Sequence, residues 1–148
     1  MNRLATATLA VGVLVLGGCG PLQFMRSDNP PTAEVPLHPG IALDQAYDRA
    51  VEIVSKRLPV ETAQRGTAPG LDLIRSAWTS TWAGATYENY KFRAEVQFNR
   101  DKRTLIVKCD AQEFDGKTWH GGWSDVVLSA LETDLHVAIG PAYRACPG

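Results

Sequence analysis

The chain has 148 residues, 45% of them hydrophobic, with 15 basic and 16 acidic side chains and a formal net charge of −1. That length suits one domain with short appendages, and the near-neutral balance gives no basic excess to recommend nucleic acid as a partner.

The first segment is apolar. Arg3 is the only charge among the first 25 residues, and residues 4–16 form a run of 13 apolar or small residues with two threonines. Such a run is too short to span a bilayer as a mature helix and fits the apolar region of a secretory signal. It closes on Leu16-Gly17-Gly18-Cys19. This tetrapeptide resembles the bacterial lipobox. The resemblance implies that the Cys19 thiol takes a diacylglycerol, that residues 1–18 are cut away as a signal peptide, and that the new amine is acylated. It places the mature chain on a membrane outside the cytoplasm. Gly20 rather than Asp follows Cys19, which resembles the pattern of sorting to the outer membrane, facing the periplasm. Two or three acyl chains give stable anchoring, since each buried methylene contributes about 0.8 kcal/mol. Cleavage leaves 130 residues, with 14 of the basic and all 16 acidic side chains, a charge of about −2.

Residues 19–40 read as the lipid anchor and a proline-rich linker. They hold Pro21, Pro30, Pro31, Pro36 and Pro39, with Ser27, Asp28 and Asn29 as turn formers. Proline removes backbone donors and favours extended chain. At about 3.1 Å per residue the linker would reach roughly 60 Å. Phe24 and Met25 sit near enough to Cys19 to touch lipid.

Residues 41–148 read as a small α+β domain. Leu43, Ala46, Tyr47, Ala50, Val54 and Leu58 recur at spacings of three and four, a helix of about four turns ended by Pro59. Residues 60–65 suit a short strand, and 66–70 a turn. Residues 71–82 suit a second strand with Ile74, Ser76, Trp78, Ser80 and Trp82 on one face, followed by a loop over 83–89. Tyr90, Phe92, Ala94, Val96 and Phe98 alternate with Lys91, Arg93, Glu95 and Gln97, a strand with one buried and one wet face. A tight turn over 99–102 returns the chain through 103–114, with Leu105, Val107, Cys109 and Ala111 inward. Asp115-Gly116 signals another hairpin. Ser124 is a good N-cap for a last helix, with Asp125 in its first turn, Val127, Leu128, Leu131, Leu135, Ala138 and Ile139 as its stripe, and Gly140-Pro141 as its stop.

The expected architecture is a two-layer sandwich: an antiparallel sheet of three to four strands with two helices on one face. Behind a lipobox, this order resembles the small domains of periplasmic lipoproteins, such as the C component of the outer-membrane barrel-assembly machine, and many short bacterial lipoproteins. The likeness covers roughly residues 41–140 and rests on element order, so it carries over no functional residues.

After acylation of Cys19 two cysteines remain, Cys109 and Cys146. An even pair in an exported chain suggests a disulfide. The bridge would close a loop of 38 residues, contributing roughly 4 kcal/mol. The alternative is one buried thiol and one in the tail.

No nucleophile elbow, zinc-protease helix, phosphate loop or C-x-x-C occurs. Cys109, His120, Cys146 and Asp110 lack metal-ligand spacing, so no metal or cofactor is expected. Trp119-His120-Gly121-Gly122-Trp123 could grip a ligand between aromatic walls, or form a hinge whose tryptophans cap the core. Trp78 and Trp82 either finish the core or line a groove for a lipid tail or partner.

Three functions follow. The favoured one is a non-enzymatic envelope lipoprotein, held by its acyl chains, that binds an envelope protein as an assembly accessory. The alternative is a membrane-tethered carrier of lipid or a small ligand, requiring an apolar cavity between helices and sheet or an open groove near Trp78, Trp82 and Trp119. The third is a hydrolase using His120 with Asp115 or Glu113, requiring these groups in one cleft.

Overall fold

Residues 90–114 form the centre of the fold. The structure, a computed structural model, describes residues 22–68 and 71–142. The signal segment 1–18, the lipidation site Cys19 and the tail cysteine Cys146 lie outside the described residues. Strands β7 (Tyr90–Asn99) and β8 (Thr104–Phe114) pair antiparallel from Tyr90↔Glu113 to Asn99↔Thr104. Their alternation puts Phe92, Ala94, Val96 and Phe98 beside Leu105, Val107, Cys109 and Ala111, all buried. Lys91, Arg93, Glu95 and Gln97 take the opposite, outer face, as the period of two requires.

Beyond β7 lie β4 (Leu71–Ser76) and then β3 (Val60–Ala68), both antiparallel. Beyond β8 lies β9 (Trp119–Ser124), and beyond that β1 (Phe24–Arg26). Strand β2 (Thr32–Pro36) pairs with residues 104–108 of β8, while β9 pairs with residues 111–114 on the same edge. The order is therefore β1-β9-β8-β7-β4-β3 with β2 also on β8, seven strands among the described residues. This corrects the expected sheet of three to four strands.

Three strands account for the difference. Two come from the segment read as linker. Among the described residues no strand pairs with the outer edge of β2, so Pro36 at its end breaks no central ladder, and Ala33 and Val35 turn into the core. β1 is only three residues long, too short to show alternation. The third, β9, is concealed by Gly121-Gly122. A Cβ at Gly122 would lie 2.1 Å from the Met25 carbonyl oxygen and 2.7 Å from the Phe24 ring. Glycine lets β1 approach β9 and lets Phe24 reach Tyr90, ring centres 5.8 Å apart.

Helices α1 (Leu43–Arg57) and α2 (Asp125–Ile139) pack on each other and cover the apolar face. α1 buries Ala46, Tyr47, Ala50 and Val54, and α2 buries Val127, Leu128, Leu131, Leu135 and Ile139. With Phe92, Phe98, Leu105 and Ile74 they fill the layer between helices and sheet. Ser124 caps α2 by accepting the Val127 N–H at 3.4 Å, and its hydroxyl donates to the Leu22 carbonyl. Residues ahead of β1 are thus tied to the start of α2.

The strand expected over 71–82 breaks after Ser76. The Ser76 hydroxyl accepts the Ala94 N–H at 2.9 Å and donates to the Ala77 carbonyl at 3.0 Å, replacing a rung of the ladder. The chain bows out at Ala77-Trp78 and rejoins β7 at the Thr79↔Phe92 bridge. A small hairpin follows, β5 (Thr81–Trp82) and β6 (Ala85–Thr86). Its turn residues Ala83 and Gly84 have φ of 51° and 81°, the two-residue turn that suits the strand twist. Trp82 turns inward and meets Phe92 edge-on, centres 6.0 Å apart.

Candidate functional site

The face of the sheet away from the helices carries an aromatic and cationic cluster. The bow at Ala77-Trp78 lays the Trp78 indole over β7, with the Arg93 guanidinium 4.8 Å from its ring centre. Lys91 Nζ lies 5.5 Å from the Trp78 ring and 4.3 Å from the Trp119 ring. Phe114 backs Trp119 with ring centres 5.2 Å apart. Each exposed cation–aromatic pair contributes about 0.5–1 kcal/mol, enough to orient these side chains but little for stability.

Beside this cluster is an open cleft of about 310 Å³, lined by Trp78, Arg93, Lys108, Asp110, Gln112 and Gly121 among others. It lies where β2 gives way to β9 along β8, with the connection through Ser27, Asp28 and Pro30 forming its rim. Asp110 holds its two cations in place, Arg93 at 3.3 Å and Lys108 at 3.0 Å. Glu95, which the alternation sets beside Arg93, instead takes Arg75 at 2.7 Å and Gln97 at 2.7 Å.

The sequence candidates separate. Trp78 and Trp119 meet around Lys91. Trp82 belongs to the core, with Arg57 stacked 5.4 Å from its ring. Trp123 is half-buried opposite Met25 in the β1–β9 ladder. His120 alternates away from Trp119 and staples the β8–β9 turn: its Nε2 lies 2.6 Å from Asp115 and 3.2 Å from the Thr118 hydroxyl. The Asp115 carboxylate accepts the backbone N–H groups of Lys117 and Thr118. The Thr118 N–H, then His120 and the Lys117 N–H, hold Asp115 well below the usual carboxylate range. Glu113 takes Arg26 at 3.2 Å and the Tyr90 hydroxyl at 3.0 Å. Of the groups named for a hydrolase, the structure pairs His120 with Asp115 and gives Glu113 to Arg26 and Tyr90.

Cys109 is a buried free thiol, and burial, with the Asp110 charge second, pushes its pKa up to about 12. It stays protonated at neutral pH and is a poor nucleophile. No cluster of potential metal ligands occurs among the described residues. A second open cleft, about 360 Å³, lies on the helix side near Ile53, Arg57, Asp134 and Val137. No helix among the described residues is long and apolar enough to cross a membrane.

Lys91, Arg93 and Lys108 were not singled out by sequence, and Asp110 was weighed there only as a metal ligand. Lys91 and Arg93 are visible as wet-face residues, but nothing in the spacing places a tryptophan from a strand break above them. Comparison with known proteins found no matching family model, no matching curated protein and no matching solved structure.

Proposed function

We propose that this chain is a non-enzymatic, lipid-anchored envelope protein, held through Cys19 and docking a partner protein of the envelope on the outer face of its sheet. The observation that carries this reading is the Trp78–Lys91–Trp119 cluster beside the Arg93–Asp110–Lys108 cleft. Aromatic rings and arginine on an open face are what protein interfaces favour. The lipobox supplies the location, and its likeness to outer-membrane-sorted lipoproteins favours the periplasmic side.

The carrier reading requires an apolar cavity between helices and sheet, or an open groove near Trp78, Trp82 and Trp119. Phe92, Phe98, Leu131 and Leu135, all buried between helices and sheet, argue against the cavity, and the cleft at Trp78 is lined by Arg93, Lys108 and Asp110, charges that do not suit an acyl tail. The test is crosslinked purification of the native lipidated protein from its own envelope, beside Cys19→Ala and the double variant Trp78→Ala with Arg93→Glu. A membrane-protein partner lost in both variants is the expected result. A co-purified lipid without any protein partner would overturn the reading in favour of the carrier.

A further inference from the structure

We infer that the β1 margin of the sheet rests on the membrane surface, with Met25 in the lipid interface and the β3 margin pointing away. The inference rests on the lipidation of Cys19 proposed above. Only Gly20 and Pro21 separate Cys19 from Leu22. Leu22 is buried, and its carbonyl is held by Ser124 at the start of α2. Three residue steps cover at most about 11 Å. An acylated Cys19 sits in the headgroup layer, so the body of the domain begins within that distance of the lipid. A proline-rich spacer of roughly 60 Å is excluded, because the residues that would form it are paired in β1 and β2.

The margin nearest the anchor has the surface that lipid contact demands. Met25 is 41% exposed in the outermost strand and lies opposite Trp123. Gln23 and Arg26, its polar neighbours, are exposed. An apolar side chain beside an indole, flanked by a cation, suits the interface between headgroups and acyl chains. Among the described residues the other large exposed apolar side chains are Trp119 and Val137. Trp119 is at the far end of β9, about 17 Å from Ser124, and Val137 is about 18 Å along α2 from Asp125. Met25 is the one the anchor presses against the bilayer. Five strand spacings separate β1 from β3, about 24 Å, so the opposite margin stands clear of the lipid.

The test uses the full lipidated chain, with Cys146→Ser, in vesicles of phosphatidylethanolamine with phosphatidylglycerol carrying an acyl-chain quencher. A fluorophore is attached at Met25→Cys in one sample and at Gln64→Cys, on β3, in another. Flotation with the vesicles is measured first. In samples that float, emission from position 25 should fall about twofold while position 64 stays unchanged, as interfacial burial of one margin requires. Flotation with no quenching at 25, or equal quenching at both positions, would overturn the orientation and leave the anchor standing. Failure to float, matched by Cys19→Ala, would remove the anchor itself and the orientation with it.

Discussion

At the β3 margin the sheet is closed by its own charges and bulges, whereas at the β1 margin it ends in a short strand with an exposed methionine. β3 shifts register between Val60 and Thr62 and again between Gln64 and Ala68, and Gly66 has a φ of 68°. Its Arg65 reaches across to Asp44 at 3.2 Å and to Asp48, and stacks 4.5 Å from the Tyr47 ring. Buried Asp72 accepts the Gly66 N–H at 2.6 Å and pairs with Arg100 at 2.7 Å. Bulges and charges of this kind stop another strand from adding to an edge. Among the described residues β1 shows no register shift against β9, and the ion pair Arg26–Glu113 ties it to β8. The difference teaches that one margin is protected against strand addition, and the other is the one that the proposed anchor would set beside the membrane.

Substitutions can break this comparison, beginning with the largest effect. Gly122→Ala drives a methyl into the β1 backbone and should cost about 3 kcal/mol in chemical denaturation, with loss of amide protection in residues 24–26. Unchanged stability would mean that β1 does not lie against β9. Leu22→Ala should cost about 2–3 kcal/mol, where a residue in a loose tether would cost nothing. At the opposite margin, Asp72→Ala removes the charged partner of the Gly66 N–H and Arg100 and should cost about 2 kcal/mol. Asp44→Ala, at the exposed end of the same network, should cost no more than about 0.5 kcal/mol. Equal losses from the two would show that the exposed ion pairs, rather than the buried carboxylate, hold the bulge.

The smallest effect concerns the β8–β9 turn. Asp115 has its pKa lowered from 3.8, so the stabilisation it gives the turn is present above that pH and lost as the pH falls below it. Hydrogen exchange at Lys117 and Thr118 should therefore quicken, relative to its intrinsic rate, on acidification below about pH 4. Asp115→Asn should remove that dependence. A turn equally protected at pH 3 and pH 6 would contradict the assignment of His120 as a staple.

How much of this was legible depended on segment length and on glycine. Both helices could be read because their stripes run four turns and end at Pro59 and Gly140-Pro141. The β7–β8 hairpin could be read because ten residues alternate cleanly. β1 and β2 could not, since three and five residues beside prolines carry the composition of a linker and gain order only from β8 and β9. β9 was hidden because Gly121-Gly122 signals a loop, whereas the close approach of β1 requires Gly122. Trp78 and Trp82 shared a face in a strand read straight through, and the Ser76 hydroxyl breaks that strand and sends them to opposite sides. The outer cluster was out of reach because it needs that break to bring Trp78 to Lys91 and Arg93.

The account depends most on the outer face of the sheet being the docking surface, and crosslinking from defined positions in the native envelope tests it most directly. A photoreactive residue in place of Gln112, on the cleft wall, should capture a discrete protein partner, and Arg93→Glu should abolish the adduct. The same residue in place of Val137, on the helix side, should capture none. The same adduct from both positions, or an adduct at Gln112 that survives Arg93→Glu, would contradict it.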